Sequence, residues 1–184
     1  MLDVGSADSV LTSKLAERGL FCIGIEQREQ HVEFAQDNIR DKDNVGVVRS
    51  KLTPENIGKL PEFDVILLLT VYQHLIANHT YERWGSGYGD KPAEKMLSTL
   101  ADNADVIIFE IWENPHEPSD LFDMKRFPFN AESISPVEFW KSYFPYVLDD
   151  SINVEFLGRT DYKGGERKDI LFEIDSSQYD SKDR

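Results

Sequence analysis

Short apolar runs alternate with amphipathic stretches along most of the chain. Such runs, when bounded by polar residues, are typical of buried strands, and apolar residues spaced three and four apart are typical of helices. The pattern predicts a strand that begins at Leu2 and further strands at residues 20–25, 45–48, 63–71 and 105–111. It also predicts helices over about residues 9–18 and 28–38 and helices that begin at Thr53, Pro92 and Ser135.

Strands that alternate with helices are typical of an α/β fold with a parallel sheet. The run 63–71 is continuously hydrophobic, which predicts a central strand covered on both faces, and the run 20–25 predicts another fully buried strand. Near the end of the chain, residues 152–159 and 169–175 predict two strands joined by a short link that contains glycine. We therefore expect a C-terminal antiparallel hairpin.

One domain is predicted for residues 1–175, because the length suffices for one core and no linker, repeat or low-complexity segment interrupts it. Residues 176–184 form a predicted polar tail. Two long loops are expected, one at residues 78–90 and one between residue 116 and Ser135. Loops of that length inside compact domains are typically functional or mobile.

The charge and the cysteine count narrow the class of protein. The chain has 34 acidic and 20 basic residues and a formal net charge of −14, so its surface repels phosphate backbones and nucleic acid is not the expected partner. The single cysteine, Cys22, is interpreted as a buried structural thiol in a reducing compartment. No apolar run approaches the ~20 residues of a membrane span, and no signal peptide is evident, so we expect a cytoplasmic protein.

The opening segment contains the first candidate site. Gly5 lies between the first predicted strand and helix, where a glycine lets the backbone bend. Ser6, Ala7 and Ser9 are small, so a ligand with an anionic or electron-rich group could approach the N–H groups of the helix start. Glu26 ends the next predicted strand, about 20 residues beyond the glycine, which is the spacing at which nucleotide-binding folds place a carboxylate on ribose hydroxyls.

Taken together, these segments resemble the class I S-adenosylmethionine-dependent methyltransferases. The motifs are Leu-Asp-Val-Gly-Ser-Ala at residues 2–7, the acid-ended strand 23–26, the run 63–75, and the paired endings 156–159 and 168–172. The resemblance covers nearly the whole chain. It implies a Rossmann-like, doubly wound, mostly parallel seven-stranded sheet with a C-terminal antiparallel hairpin and helices on both faces.

The resemblance also implies S-adenosylmethionine as the cofactor. Gly5, Ser6 and Ala7 are then expected to pass under its methionine part, and Asp3 to help place its ammonium group. Thr70 is expected near the sulfonium. The segment Thr-Val-Tyr-Gln-His-Leu at residues 70–75 is similar to that of lipopolysaccharide-type methyltransferases, which implies a glycan or small-molecule acceptor.

At the nucleoside end, the resemblance assigns the ribose hydroxyls to Glu26 and places Gln27 beside the adenine. Lys51 and Leu52 are expected to offer backbone groups to the adenine edge. Two features depart from the family pattern. Small residues stand in place of the later glycines of the first motif, and the chain begins almost inside its first strand, without the helix that usually precedes it. We therefore expect a fragment, a mis-started chain, or a lid that comes from elsewhere.

Methyl transfer to a hydroxyl needs a positioned acceptor and a group that removes its proton. His74 follows the central strand on the ligand side and is the candidate base, because histidine ordinarily titrates near neutrality; a helix cap or a core hydrogen bond is the alternative role. Glu110, at the end of the fifth strand, is the second catalytic candidate, or else a member of a structural ion pair. Trp112 and Glu113 lie beside it and could hold the acceptor.

Aromatic residues of the two loops are candidates either for an acceptor wall or for satellite core. These residues are Tyr81, Trp84, Tyr88, Phe127 and Phe129. The histidines and acids near the strand ends show no recognised metal-ligand spacing, so no metal is expected.

Three other functions remain alternatives. A dinucleotide-dependent oxidoreductase is disfavoured by the terminal hairpin and the incomplete glycine pattern, since a pyrophosphate needs close backbone approach at the second glycine. A non-catalytic binding module is favoured by the missing amino-terminal segment and the altered glycines, and it is disfavoured by the retained Asp3, Gly5 and Glu26. An RNA methyltransferase is disfavoured by the acidity. The sequence predicts neither the acceptor nor the oligomeric state.

Overall fold

The computed structural model describes residues 1–76, 88–114, 118–162 and 167–177. Within these residues, seven strands alternate with six α-helices. The elements are, in order, β1 (Leu2–Val4), α1 (Val10–Ala16), β2 (Cys22–Glu26), α2 (Glu29–Ile39), β3 (Val45–Arg49), β4 (Phe63–Leu69), α3 (Tyr72–Ile76), α4 (Asp90–Asp102), β5 (Ala104–Asn114), α5 (Pro118–Leu121), α6 (Pro136–Val147), β6 (Asn153–Tyr162) and β7 (Arg167–Asp175). Short 3-10 helices lie at Ile57–Lys59, Met124–Arg126 and Ala131–Ser133.

The strands form one mixed sheet with the order β3-β2-β1-β4-β5-β7-β6. Strands β1 to β5 are parallel to one another, and β7 is antiparallel to both β5 and β6. The predicted α/β fold, the seven-stranded sheet and the antiparallel terminal hairpin are therefore confirmed. Predicted residues 163–165 of the hairpin link lie outside the described residues.

Helices cover both faces of the sheet. Leu2 and Val4 point from β1 into a core that also contains Met96 of α4 and Trp140 of α6. Asp3 lies between them on β1 and so points to the opposite face, because side chains alternate along a strand. There its carboxylate accepts a hydrogen bond from Thr12 of α1 at 2.5 Å. The two helices α1 and α2 therefore pack on one face, and α4 and α6 on the other.

An aromatic layer forms the core beside β5. Ring centroids in this layer lie 4.9–6.3 Å apart, mostly edge to face, which is the favoured arrangement for aromatic pairs. Its members include Tyr72, Phe109, Phe122, Phe127, Phe139, Trp140, Tyr143 and Phe144. The hydroxyl of Tyr72 on α3 lies 2.7 Å from that of Tyr143 on α6. Burial raises the pKa of Tyr72, so this hydrogen bond joins two neutral phenols.

The strand predicted at residues 20–25 is shorter and less buried than expected. It begins at Cys22, and Phe21 and Ile23 are 78% and 40% exposed. Ile23 shares its face of the sheet with Val48 of β3, which is 50% exposed as well. The apolar composition of the segment does not show that this face of β2 and β3 is partly exposed to solvent.

Two other expectations change at the strand ends. β4 ends at Leu69 rather than at residue 71, because Thr70 adopts a positive φ of 53° that breaks the strand. β5 continues to Asn114, because it pairs with β7 along that length. The loop expected between residue 116 and Ser135 contains α5 and two 3-10 helices. The predicted capping box of α6 is confirmed, with Ser135 and Glu138 hydrogen-bonded reciprocally.

Arg126 joins the segment before α6 to the start of α4. Its guanidinium contacts the carboxylates of Asp90 and Glu94 and lies over the rings of Phe122 and Phe127. At the end of β7, the Ser176 hydroxyl is buried and donates a hydrogen bond to the Ala104 carbonyl at 2.7 Å. None of the helices in the described ranges is long and apolar enough to cross a membrane.

Candidate functional site

A cavity of about 390 Å³ opens at the carboxyl ends of the parallel strands. Open α/β sheets bind their ligands at this edge, and the volume lies within the range of ligand pockets. The lining residues come from the turns that follow β1, β2, β3 and β4 and from the end of β5. They are Val4, Gly5, Ala7, Ile25, Glu26, Gln27, His31, Ser50, Lys51, Leu52, Leu69, Thr70, Val71, His74, Leu75, Tyr88 and Trp112.

The turn after β1 forms part of the cavity lining. The backbone N–H groups of Gly5 and Ser6 donate hydrogen bonds to the Ile25 carbonyl at 2.8 and 3.1 Å, which holds the turn against β2. Gly5 has a φ of +73°, and a Cβ at this position would lie 2.7 Å from Cγ2 of Val71. Only glycine fits this conformation without displacing its neighbour.

Glu26 is the buried carboxylate of the cavity. The residue is 7% exposed, and its two oxygens accept hydrogen bonds from the backbone N–H groups of Ala7 at 3.0 Å and Arg28 at 2.8 Å. The Nδ1 atom of His31 lies 4.0 Å from Oε2. A carboxylate offers about four acceptor positions, so the two backbone donors fix its orientation and leave positions for hydroxyl groups of a ligand.

Asp3 and Ser6 support the turn but are not among the lining residues. Asp3 is 4% exposed, and burial raises the pKa of its carboxyl group, although the hydrogen bond from Thr12 lowers that pKa and the Glu26 charge raises it further. The Ser6 hydroxyl is buried and lies 3.1 Å from that of Ser9. The structure therefore places these two predicted cofactor residues behind the turn, while Gly5 and Ala7 line the cavity.

At the β2 and β3 end, the predicted residues Gln27, Lys51 and Leu52 all line the cavity. Tyr88 also lines the cavity at this end. Its hydroxyl donates a hydrogen bond to the Leu52 carbonyl at 3.3 Å, and the Lys51 ammonium lies 5.1 Å from its ring centroid. The Tyr88 N–H donates to the Leu75 carbonyl at 2.7 Å, which ties it to α3.

Thr70, His74 and Trp112 line the opposite end of the cavity. The His74 and Trp112 rings meet edge to face, with centroids 5.5 Å apart and planes at 90°. In the sheet order, β2 and β5 are separated by β1 and β4. Three strand spacings amount to about 14 Å, so the cavity is an elongated slot with Glu26 at one end and Trp112 at the other.

The carboxylates at the end of β5 do not line this cavity. Glu110 accepts a hydrogen bond from the Thr160 hydroxyl at 3.0 Å, which directs its carboxylate toward β6. Glu113 forms a two-pronged pair with Arg159, with both N–O distances at 2.7 Å. The hydrogen bond from the Arg159 guanidinium lowers the pKa of Glu113, so this pair is ionic near neutral pH. His74 lines the cavity, whereas Glu110 is not among the lining residues.

The candidate aromatic residues separate into three groups. Phe127 and Phe129 stack on each other with centroids 5.2 Å apart and belong to the core, whereas Tyr88 lines the cavity. Tyr81 and Trp84 lie outside the described residues, as do His79 and His116. In the part of the chain that the structure describes, no group of three or more His, Cys, Asp and Glu side chains could hold a metal ion.

Two polar residues that line the cavity at its β2 and β3 end, His31 and Ser50, were not predicted from the sequence. His31 lies in the first turn of α2, shortly after the strand that ends in Glu26. Its closeness in sequence to Glu26 is the signal that could have identified it as a site residue. Ser50 immediately follows β3 and precedes the predicted Lys51. Tyr88 was a candidate either for an acceptor wall or for satellite core, and its contacts with Lys51 and Leu52 place it at the β2 and β3 end of the cavity.

No protein-family model matches the chain. A curated relative is the ubiquinone biosynthesis O-methyltransferase of Pelagibacter ubique (strain HTCC1062), which is 21% identical over 142 residues. The match covers 68% of this chain and 59% of the relative, so the chain spans less than two thirds of that protein.

Solved structures with related folds include two named methyltransferases. The bifunctional kinase-methyltransferase WbdD matches with a TM-score of 0.63 and 18% identity, over 95% of this chain and 34% of WbdD. The magnesium protoporphyrin IX methyltransferase ChlM from Synechocystis PCC 6803, with bound SAH, matches with a TM-score of 0.59 and 18% identity, over 94% of this chain and 72% of ChlM. With its 3-2-1-4-5-7-6 sheet, the chain therefore has the class I S-adenosylmethionine-dependent methyltransferase fold.

Proposed function

We propose that the chain is an S-adenosylmethionine-dependent methyltransferase that methylates a hydroxyl group of a small-molecule or glycan acceptor. The observation that carries the proposal is the arrangement of the slot. A buried carboxylate, Glu26, lies at one end, and a histidine, His74, lies at the other beside Trp112. The sheet edge is also the one at which α/β folds bind their ligands.

The residues of the slot fit the chemistry of the cofactor. The ribose hydroxyls are donors, and Glu26 has acceptor positions left beside the N–H groups of Ala7 and Arg28. The missing side chain at Gly5 lets a ligand approach the backbone there. Gln27, Lys51 and Tyr88 provide polar and aromatic groups for an adenine at the other side of the ribose.

When bound, S-adenosylmethionine supplies a methyl group made electrophilic by its sulfonium. The task of the protein is to align an acceptor oxygen with that methyl group and to remove the hydroxyl proton. In our proposal, a nitrogen of the neutral His74 imidazole takes this proton, while Trp112 holds the ring from the side. His74 alone is given the role of base, because Glu110 is absent from the cavity lining and accepts a hydrogen bond from Thr160.

The name of the curated relative, an O-methyltransferase of ubiquinone biosynthesis, supports an oxygen acceptor on a small molecule. The solved neighbours WbdD and ChlM are also named as methyltransferases. The net charge of −14 supports a small or uncharged acceptor over nucleic acid.

The proposal is tested by incubating the purified chain with methyl-labelled S-adenosylmethionine and two panels of hydroxyl compounds, simple phenols and oligosaccharides. We expect label transfer, with release of S-adenosylhomocysteine, to members of one panel. A matched panel in which each hydroxyl is already methylated controls for transfer to other atoms. Label transfer to RNA but to neither panel would contradict the proposed acceptor class.

A further inference from the structure

Backbone strain in the described part of the chain is concentrated at the cavity. Within those ranges, the non-glycine residues with positive φ are Ala7, Ser9 and Thr70. All three lie in the turns after β1 and β4, and Ala7 and Thr70 line the slot. A β-branched residue such as threonine is rare in the left-handed region, and strained residues of this kind cluster at functional sites. The left-handed conformation of Thr70 therefore requires stabilising contacts from neighbouring residues.

Hydrogen bonds on both sides hold the Thr70 backbone. Its N–H donates to the Glu110 carbonyl at 2.9 Å, and its carbonyl accepts from Nε2 of Gln73 at 2.6 Å. Gln73 is 3% exposed, so its amide is shielded from water. Gln73 itself is not among the residues that line the cavity. Its contact with the slot is therefore indirect, through the carbonyl of Thr70.

The conformation of Thr70 sets the position of the residues that follow it. Val71 contacts the turn after β1 at the point where Gly5 has no Cβ, and the Val71 carbonyl accepts the His74 N–H at 2.9 Å in the first turn of α3. Both Val71 and His74 line the slot. One backbone geometry at Thr70 thus determines the contact with the Gly5 turn and the direction of the helix that carries His74.

We propose that Gln73 is a positioning residue: its side-chain amide holds Thr70 in the left-handed conformation and thereby keeps Val71 and His74 aligned with the Gly5 turn. The importance of this alignment for cofactor binding and catalysis rests on the proposed methyltransferase function. The claim that Gln73 stabilises the Thr70 conformation does not depend on that function. Gln73 does not line the cavity, and in this proposal it acts through the carbonyl of Thr70.

A cofactor-free measurement tests the structural part. Amide hydrogen exchange is followed by NMR at Thr70 and His74 in the wild type, in Gln73→Ala and in Asn103→Ala. Asn103 is the matched control, because its side-chain amide also donates to a nearby carbonyl, that of Thr99 at 2.8 Å, away from the slot. We expect the two amides to exchange about tenfold faster in Gln73→Ala and at the wild-type rate in Asn103→Ala. Wild-type rates in Gln73→Ala would overturn the proposal.

The functional part is tested by titration with S-adenosylhomocysteine. We expect Gln73→Ala to raise the Kd about tenfold. In the Thr70→Gly background we expect the same substitution to raise the Kd about threefold or less, because glycine adopts a positive φ without a supporting hydrogen bond. An equal loss of affinity in both backgrounds would contradict a role through Thr70. If the wild type does not bind at all, the proposed function fails, while the exchange measurement still decides the role of Gln73.

Gln73→Glu provides a variant of nearly the same shape that distinguishes positioning from packing. A carboxylate cannot donate to the Thr70 carbonyl, but a protonated carboxyl can. We therefore expect its affinity, relative to the wild type at the same pH, to recover as the pH is lowered from about 8 to about 5, because burial raises the pKa of a carboxyl group. A relative affinity that does not change with pH would contradict the donor role.

Discussion

The backbone N–H of Ala7 donates a hydrogen bond to Oε2 of Glu26 at 3.0 Å and so joins the turn after β1 to the end of β2. The other oxygen of the same carboxylate accepts the N–H of Arg28 at 2.8 Å. The sheet register places these strands side by side, with Val4 opposite Ile25. The carboxylate is therefore oriented by the fold itself, and the ribose site in our account is preformed.

Glu26→Ala tests this site. We expect cofactor affinity to fall by about 1.5–3 kcal/mol, the range for hydrogen bonds to a charged group. Isothermal titration with S-adenosylhomocysteine measures the change. Glu29→Ala is the matched control, because its carboxylate is 64% exposed and pairs with Arg49 outside the cavity lining. A Glu26→Ala variant that binds as tightly as the control would remove Glu26 from the site.

His74→Ala tests the proposed base. We expect kcat to fall by about a hundredfold or more, within the range of a lost general base, with the Kd for S-adenosylhomocysteine unchanged. Trp112→Phe keeps a ring beside position 74 and is expected to retain most of the turnover. Full activity of His74→Ala in the labelled-methyl assay would refute the assignment.

Gly5→Ala tests the close contact between the two turns. The new Cβ would lie 2.7 Å from Cγ2 of Val71, at a φ of +73°. We expect the free energy of unfolding to fall by about 2–4 kcal/mol, from overpacking and from the left-handed conformation together. Urea titration measures it.

Gly19→Ala separates the two causes, because Gly19 has a φ of +93° and open space within 4 Å. We expect this control to cost about 1–2 kcal/mol, from conformation alone. Adding Val71→Ala to Gly5→Ala is expected to recover part of the loss. Equal costs at positions 5 and 19 would show that the contact with Val71 does not matter.

Asp3→Asn tests the buried carboxyl group through the pH dependence of stability. Because burial raises the pKa of Asp3 in the folded protein above 3.8, the folded state binds more protons than the unfolded state between the two values. The contribution of Asp3 to stability therefore decreases as pH rises through that window. We expect Asp3→Asn to be more stable than the wild type near neutral pH, with the difference vanishing below the unfolded pKa.

The same variant is expected to weaken cofactor binding if Asp3 helps to place the ammonium group. Urea titrations of both proteins across the acid range measure the stability difference. A difference that grows on acidification has the opposite sign and would contradict the burial effect on the pKa of Asp3.

The sequence predicts the Gly5 turn, the position of Glu26 and the central strand well, because each of these features depends on a few neighbouring residues. Gly5 marks a turn that other residues adopt only with strain, and Glu26 ends a strand at the spacing expected of a ribose-binding acid. The continuous apolar run of β4 also identifies the centre of the sheet correctly. These signals are each carried by a few neighbouring residues.

Other features depend on distant parts of the chain and could not be predicted. The exposure of Ile23 is decided by what covers the sheet, not by its own strand. The left-handed φ of Thr70 runs against the preference of threonine and is held by Gln73 and by the β5 backbone. Likewise, the direction of the Glu110 carboxylate is set by Thr160, fifty residues later in the chain.

In our proposal, the slot between Glu26 and His74 holds S-adenosylmethionine. Isothermal titration of the purified chain with S-adenosylmethionine, S-adenosylhomocysteine and NAD tests this assignment. We expect micromolar binding of the first two ligands at one site per chain, weakened about tenfold or more in Glu26→Ala, and no binding of NAD. Binding of NAD in preference to both, or S-adenosylmethionine binding that survives Glu26→Ala unchanged, would contradict it.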